Sequence, residues 1–590
     1  MAFLSVLISS HLRNAVSSHF MLVWSVCLIA AVIGGIWAGG RSDFALAHNQ
    51  RRASNERGRL WPGLEWPDLW VAGLFAIFVA FYVAVIFYKE DFAYYDDDQL
   101  TDFSVRGVAF APPIWPSQGR FFPLAFQEFN LLRFVTRSPA GYHFLAITQL
   151  AMVLALLFLV LRDFGLRYRL LLMGAAMLAP GFCIAFSGLI YPERNILFFL
   201  AILIVCAAGY DKAKNRGYLI GCLIATQFLL YYKETTVVLI AVFALSYASL
   251  HFRSNKARAR FSWAGFVSEN LLSIGMVVLS AVYSVLFRIV LPALGTFSYV
   301  SQHQETFASV LRSYLVIDWV AWILLAIFLF RIARSFLMGL ELDPLWDSLA
   351  AGASAYFLAI LALRLISGYY LAPVDLIGLL YLARLSLHWV KAEPGKLHRV
   401  AIGLALALIM LHDAAYSSFR TIERKGIISA KSQLAVFLRH YAQTENASRI
   451  ELFVPYSNAY HLMILEAYLK YKGFDVVSPA RGNRSGPEVV LESPALFAGN
   501  KCIDYREYSC VHADQAGPGA LVVLMPDDNI AMSCVDDLEN HEMLLFRVAA
   551  PVPRVTGSSW FRLLYAISPQ FAATGAPGHW LQLHVFRNAA

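Results

Sequence analysis

The sequence predicts a polytopic α-helical membrane protein with a small α/β domain after its last membrane span. Of the 590 residues, 58% are hydrophobic and only 15% are charged, whereas about 25% of residues are charged in an ordinary soluble domain. The mean hydropathy of +0.57 places the excess apolar surface against lipid. Long apolar runs recur up to residue 416, and the composition becomes more polar beyond it. A soluble, disordered, collagen-like or small disulfide-rich protein is therefore excluded.

Apolar stretches that approach the length needed to cross a bilayer, about 20 residues, recur about twelve times. They lie at residues 20–39, 70–88, 140–161, 170–188, 195–210, 217–232, 235–251, 268–291, 315–331, 347–365, 370–388 and 399–416. The segment before residue 20 is too polar around His11–Arg13 for a span, and we expect it to lie at the membrane interface.

Every second loop between these spans is basic. Lysines and arginines cluster in the loops at 41–59, 162–169, 212–216, 253–260, 331–334 and 391–399. Because cytoplasmic loops of membrane proteins carry an excess of positive charge, these loops are predicted to face the cytoplasm. The loop at 89–139 and the tail at 417–590 then face the periplasmic side of the inner membrane. The positive residues behind the net charge of +8 thus lie mostly in loops that set the orientation of the chain, and the net charge does not indicate nucleic-acid binding.

The chain divides into three predicted regions. Residues 1–69 hold an extra N-terminal helix and a basic cytoplasmic loop, residues 70–416 form the transmembrane domain, and residues 417–590 form the extracytoplasmic tail. In the tail, predicted strands and a helix alternate, at 450–455, 459–472, 474–477, 521–525, 543–548 and 581–586. This alternation is typical of an α/β domain. The tail contains no known catalytic motif, so a structural or docking role is predicted.

Three of the seven cysteines lie in the tail, at Cys502, Cys510 and Cys534. Cys502 and Cys510 are close enough in sequence for a local disulfide in an oxidising compartment. None of the three has the neighbouring cysteines and histidines of a structural metal site.

An acidic triplet, Asp96, Asp97 and Asp98, follows the second predicted span directly. Three adjacent carboxylates repel one another, so we expect at least one to be paired with a cation or to have a raised pKa. Such a group is suited to accept a proton from a sugar hydroxyl. Arg106 and Arg120 in the same loop offer planar donors to a phosphate. The alternative, a solvated acidic turn, stays open.

Two short loops on the same predicted side carry further charges between apolar spans. They contain Glu193 with Arg194, and Lys233 with Glu234. Charges at a membrane margin are costly unless they are paired or hydrated, so they indicate a functional site by default. Together they are predicted to hold an anionic head group against Arg and Lys. Snorkelling side chains or interhelical ion pairs are the alternative.

These features together resemble the GT-C superfamily of polyprenyl-phosphate-dependent glycosyltransferases. Its members include lipid A aminoarabinose transferases, protein mannosyltransferases and O-antigen-modifying glucosyltransferases. The resemblance covers roughly residues 70–416 and rests on the acidic triplet, on Gly119-Arg120 followed by FFPL, on the charged short loops and on a late Tyr-Tyr-x-x-Pro segment. The extra helix before residue 40 departs from the simplest layout of the family.

The resemblance implies roles for individual residues. A loop-one aspartate is the catalytic base in the family, which corresponds to Asp97 or Asp96 here. The cations that would bind the donor phosphate are Arg120, Arg194 and Lys233. Candidate substrate contacts are Asp98, Arg106, Glu193, Glu234, Tyr369 and Tyr370. From the residues alone, the two tyrosines fit an ordinary interfacial aromatic belt.

The predicted function is transfer of a sugar from a polyprenyl phosphate to a cell-envelope acceptor, with inversion, on the extracytoplasmic face. No cofactor is predicted, and a divalent metal is not expected to be essential, because Lys and Arg can neutralise a monophosphate leaving group. A transporter or lipid flippase is one alternative. An O-antigen polymerase or ligase is another, although the loop at 292–314 offers only His303 and Arg312 for that chemistry.

Overall fold

The computed structural model describes most of the chain from residue 66 onward. The described residues are 66–94, 97, 100–101, 109–110, 114–115, 120–256, 267, 270–290, 306–391, 396–454, 459–477, 488–492, 519–525, 543–549 and 582–587. Several sequence predictions lie outside these residues, namely the span at 20–39, Asp96, Asp98, Arg106 and the three tail cysteines.

The described residues form two compact units. The first unit comprises the described residues within Met1–Val83, Ala111–Glu128 and Leu145–Ser417. The second unit comprises the described residues within Ala84–Phe110, Phe129–Phe144 and Ser418–Ala590.

Helices dominate the described chain up to residue 444. They are α1 (Trp66–Phe87), α2 (Gln127–Leu132), α3 (Pro139–Val160), α4 (Leu166–Leu178), α5 (Pro180–Ser187), α6 (Glu193–Ala213), α7 (Arg216–Tyr232), α8 (Thr236–Lys256), α9 (Leu271–Val290), α10 (Phe307–Ile317), α11 (Trp319–Met338), α12 (Pro344–Ala362), α13 (Ala372–Lys391) and α14 (Lys396–Thr444). At least one α-helix overlaps each predicted span within the described residues, although the predicted span at 315–331 begins in α10 and continues in α11.

Five of the described helical segments are long and apolar enough to cross a membrane. These segments are Asp68–Phe87, Pro139–Asp163, Glu193–Ala213, Trp319–Met338 and Pro344–Ala362. The predicted span at 170–188 is instead a pair, α4 and α5, bent by 69°. Ala179 between them is extended, as residues before a proline prefer, and Pro180 begins α5. Counting the pair as one span gives six among the described residues, so the count of about twelve stays a prediction.

Three buried aspartates of the first unit accept hydrogen bonds from backbone N–H groups in the first turns of helices. Asp318 accepts a hydrogen bond of 3.0 Å from the third residue of α11, and Asp413 one of 3.2 Å from its first residue. Asp375 accepts one of 2.8 Å from the backbone N–H of Gly181 in α5. The first N–H groups of a helix have no partner within the helix, and apolar surroundings offer no water to replace one. These carboxylates therefore explain how helices can begin inside the apolar core.

A short 3₁₀ helix at Gly368–Leu371 presents Tyr369 and Tyr370 just before α13. It packs so tightly against α5 that a Cβ added to Gly181 would overlap the backbone nitrogen of Ala372. The hydroxyl of Tyr314 donates a 2.7 Å hydrogen bond to the carbonyl of residue 365 nearby. Both contacts fix the position of the tyrosine turn in the first unit.

The second unit contains a six-stranded sheet with the order β4-β5-β3-β6-β8-β7. Its strands are β3 (Arg449–Phe453), β4 (Asp475–Val477), β5 (Glu488–Glu492), β6 (Leu521–Leu524), β7 (Met543–Ala549) and β8 (Gln582–Arg587), with helix α15 (Ala459–Tyr471) between β3 and β4. Strands β4, β5, β3 and β6 pair in parallel, and β8 pairs antiparallel with β6 and β7. Every residue of β6 is buried, as expected for a strand covered on both faces. The remaining strands, β1 (Ile114–Trp115) and β2 (Arg120–Phe121), form a small antiparallel ribbon in the first unit.

Helix α14 is unusually long, at 49 residues. The sequence predicts its first part as the last membrane span, which ends at residue 416. The helix continues without a break to Thr444, and its residues from Ser418 onward belong to the second unit. This extension carries buried charges, including Arg424 and Lys425, that hydropathy does not single out.

Candidate functional site

A buried ion pair joins the two charged loops that the sequence singles out. Lys233 directly follows the end of α7, and Glu193 begins α6. The Lys233 ammonium donates a 2.6 Å hydrogen bond to Glu193 Oε1. Both side chains are buried, at 6% and 0% exposure. The end of one helix thus meets the start of its neighbour, because α6 and α7 pack together and run in opposite directions.

The tyrosine turn lies against the same lysine. Lys233 Nζ is 4.5 Å from the centre of the Tyr370 ring and 5.7 Å from that of Tyr369. The Tyr191 ring stacks on Tyr369 with centroids 4.4 Å apart. A lysine over an aromatic face is stabilised by the ring quadrupole, and more so when it is desolvated. Tyr370 is buried and contacts a cation, so it does not belong to an exposed aromatic belt.

A second ion pair, Arg120 with Glu234, lies next to the first, because Glu234 follows Lys233 in the chain. Both side chains are largely buried. The loop after β2 is held to the end of α7, since the backbone N–H of Leu124 donates a 3.1 Å hydrogen bond to the carbonyl of Tyr231. This contact keeps Arg120 beside the charged loop.

We define the paired-charge site as Arg120, Glu193, Lys233, Glu234, Tyr369 and Tyr370. The two ion pairs are adjacent because Lys233 and Glu234 are consecutive residues, and Lys233 lies against the tyrosine turn. The second carboxylate oxygens of Glu193 and Glu234 are buried and accept no hydrogen bond from the described residues. Two cations are thus balanced by two carboxylates whose hydrogen-bonding capacity is only partly used.

Arg194 is directed to a different set of partners. Its buried guanidinium donates to the carbonyls of Gly188 and Leu189, at 3.4 and 3.2 Å. It also lies 3.8 Å from Glu128, which accepts a 2.6 Å hydrogen bond from Asn195. Burial raises the pKa of Glu128, and the neighbouring Arg194 opposes that rise. The sequence analysis missed Glu128, although it lies only a few residues beyond Arg120.

In the second unit, Asp97 is paired with an arginine from α14. Arg424 Nη2 lies 2.8 Å from Asp97 Oδ2, and the two side chains are 4% and 2% exposed. The Arg424 guanidinium also lies 4.4 Å from the centre of the Tyr94 ring. Asp97 is therefore not part of a solvated acidic turn. No local signal points to Arg424, which is 327 residues away in the sequence.

Lys425, the next residue of α14, is a buried lysine outside the predicted spans. Its ammonium donates a 2.7 Å hydrogen bond to the carbonyl of Ile86. Burial lowers the pKa of Lys425 to about 7, and the adjacent Arg424 contributes in the same direction. Glu90 and Asp97 partly oppose this shift. The lysine thus changes its charge near neutral pH.

This shift makes stability depend on pH in a defined direction. Between about pH 7 and 10.5, the unfolded chain holds a proton on Lys425 that the folded protein has lost. Stability therefore rises with pH across that window, by at most about 1.4 kcal/mol per pH unit. We expect Lys425→Met to abolish this slope when melting in detergent is followed from pH 7 to 10. Lys470→Met, at a surface pair with Glu466, is the control, and an unchanged slope in Lys425→Met would contradict the assignment.

No group of three or more His, Cys, Asp or Glu side chains within the described ranges is placed to hold a metal ion.

Comparison with known proteins finds similarity among solved structures. No family model matches the chain, and no curated protein matches it. The chain is similar to the crystal structure of ArnT from Cupriavidus metallidurans bound to undecaprenyl phosphate, with 13% identity, coverage of 88% of this chain and 98% of that chain, and a TM-score of 0.39.

Proposed function

We propose that this protein is an integral-membrane glycosyltransferase that moves a sugar from a polyprenyl-phosphate donor to a cell-envelope acceptor. The observation that carries the proposal is the paired-charge site, where Lys233 lies against a tyrosine turn at the ends of apolar helices and Arg120 pairs with the adjacent Glu234. A lipid-linked phosphate needs such a combination, because its tail requires apolar helices and its head group requires fixed cations.

Binding of the donor exchanges one set of anions for another. In the structure, Glu193 pairs with Lys233 and Glu234 pairs with Arg120. A phosphate offers more acceptor oxygens than a carboxylate and can engage a guanidinium through two hydrogen bonds. It would therefore take over both cations and displace the carboxylates. Arg194, tied to backbone carbonyls and to Glu128, shapes the adjoining loop in this proposal.

The transfer step needs a base for the acceptor and a stabilised leaving group. Asp97, or its neighbour Asp96, accepts the proton of the acceptor hydroxyl. The hydroxyl oxygen forms a bond to the anomeric carbon as the bond from that carbon to the phosphate oxygen breaks. The polyprenyl phosphate leaves with the bonding electrons, and Lys233 and Arg120 neutralise its charge. Attack opposite to the leaving group inverts the anomeric configuration.

The function is tested with purified protein in lipid nanodiscs and a panel of polyprenyl-phosphate sugars. We expect one donor to be converted to free polyprenyl phosphate when envelope lipids and glycans are supplied, with the sugar appearing on the acceptor. Consumption of no donor, together with solute uptake or lipid translocation in proteoliposomes, would instead establish a transporter or flippase.

Removal of divalent metal is expected to leave transfer unchanged. A monophosphate leaving group carries little enough charge for one lysine and one arginine to neutralise. Rates are compared in EDTA, in Mg²⁺ and in Mn²⁺. A loss of activity in EDTA that Mg²⁺ restores would show that the cations of the site are insufficient.

A further inference from the structure

Three hydrogen bonds within the second unit join α14 to the end of α1 and the segment that follows it. The contacts are Arg424 to Asp97 at 2.8 Å, Lys425 Nζ to the Ile86 carbonyl at 2.7 Å, and Lys89 Nζ to Ser429 Oγ at 2.7 Å. Only the first of these engages a residue with an assigned chemical role. The other two join the same segment to α14 through residues other than Arg424.

Arg424 is oriented by two contacts at once. Its guanidinium stacks over Tyr94 and bonds to Oδ2 of Asp97. Tyr94 and Asp97 belong to one turn, in which the Asp97 backbone N–H donates a 2.9 Å hydrogen bond to the Tyr94 carbonyl. A planar guanidinium held by a ring face and a carboxylate has little rotational freedom. Arg424 therefore fixes the direction of the Asp97 carboxylate and places a positive charge against it.

We propose that Arg424 is a positioning residue for Asp97, so that the tail helix α14 determines the geometry and the charged surroundings of the base. The inference rests on the proposed function. A carboxylate that is almost completely buried tends to take up a proton and lose its charge. A nearby cation favours the charged form of a carboxylate, and the 2.8 Å contact of Arg424 with Oδ2 fixes which way the Asp97 side chain faces. The region predicted to be structural thus takes part in the reaction through Asp97.

Several other titratable or charged side chains lie in the surroundings of Asp97. Among the described residues of the second unit, these are Tyr94 from the same turn, Glu90 from the preceding segment, and Arg420, Glu423, Arg424 and Lys425 from α14. Arg420 pairs with Glu423, and Lys425 bonds to a carbonyl. Arg424 is the member of this set that forms an ion pair with Asp97.

The test compares Arg424→Gln, Arg424→Lys and the matched control Lys89→Met, which removes another tether between the same segments. We expect Arg424→Gln to lower kcat by about 10-fold or more with little change in the donor KM, since the base and not the donor site is disturbed. The acid limb of its pH–rate profile should move to higher pH, because the carboxylate has lost its cation. Arg424→Lys should restore part of kcat, and Lys89→Met should keep the wild-type profile. A wild-type pH profile in Arg424→Gln would overturn the proposal.

Thermal unfolding separates this inference from the proposed function. Asp97→Asn, Arg424→Gln and the double variant form a cycle that reports whether the two side chains are coupled. Additive changes in melting temperature would overturn the pairing itself, even for a protein that turns over no donor. A different result is that the melting temperatures are coupled but the protein consumes no donor of the panel. That result would reject the glycosyltransferase assignment. It would also refute the positioning role, because Asp97 would then not be a catalytic base.

Discussion

Asp97→Asn is expected to lower kcat about 10²- to 10⁴-fold, the contribution typical of a general base. Asparagine has nearly the same shape as aspartate and can still accept a hydrogen bond from Arg424, but it cannot take up the proton of the acceptor. The donor KM should change little, because the proposed phosphate cations are Lys233 and Arg120. Steady-state rates with the donor identified in the panel measure both constants.

Two controls make this result specific. Asp91→Asn alters another buried acid of the same loop, which pairs with Lys472 and Tyr468 and has no proposed chemical role. We expect it to keep its activity wherever it remains folded. Asp96→Asn tests the neighbouring candidate, and a large loss there with an active Asp97→Asn would move the base to Asp96. Full activity of the double variant would contradict a loop-one base altogether.

The helices and the charged loops could be predicted because both depend on local sequence. A helix that faces lipid needs an unbroken apolar run, and a charge such as Lys233 or Glu193 stands out against it. The bend at Pro180 was missed, because averaged hydropathy does not register the restriction that a proline imposes on the preceding residue. Local information was therefore sufficient for the position of the helices but not for their continuity.

Partners distant in sequence could not be predicted. Arg424 pairs with Asp97 across 327 residues. Asp413 and Asp375 accept hydrogen bonds from the first residues of α11 and α5, which are distant in the sequence. The strand order β4-β5-β3-β6-β8-β7 likewise depends on pairing between remote segments. In each case the sequence contains the residue types, but the contact exists only once the chain has folded.

Lys233→Met is expected to destabilise the protein by about 3–5 kcal/mol, because it leaves the fully buried Glu193 carboxylate without its cation. Adding Glu193→Gln should restore most of that stability, since a neutral pair of similar volume replaces a buried ion pair. Melting in detergent measures the effect. The matched control is Arg384→Met, which breaks the much more exposed pair with Asp163 and should cost about 1 kcal/mol or less.

Activity measurements on the double variant show whether Lys233 has a structural or a functional role. If Lys233 only neutralises Glu193, the double variant Glu193→Gln/Lys233→Met should be both stable and active. If Lys233 holds the donor phosphate, the double variant should be stable but should bind the donor weakly, because no cation replaces the ammonium beside Tyr370. We expect the second result. The Glu193 carboxylate then serves as the partner that holds the buried Lys233 side chain in position until the phosphate takes its place.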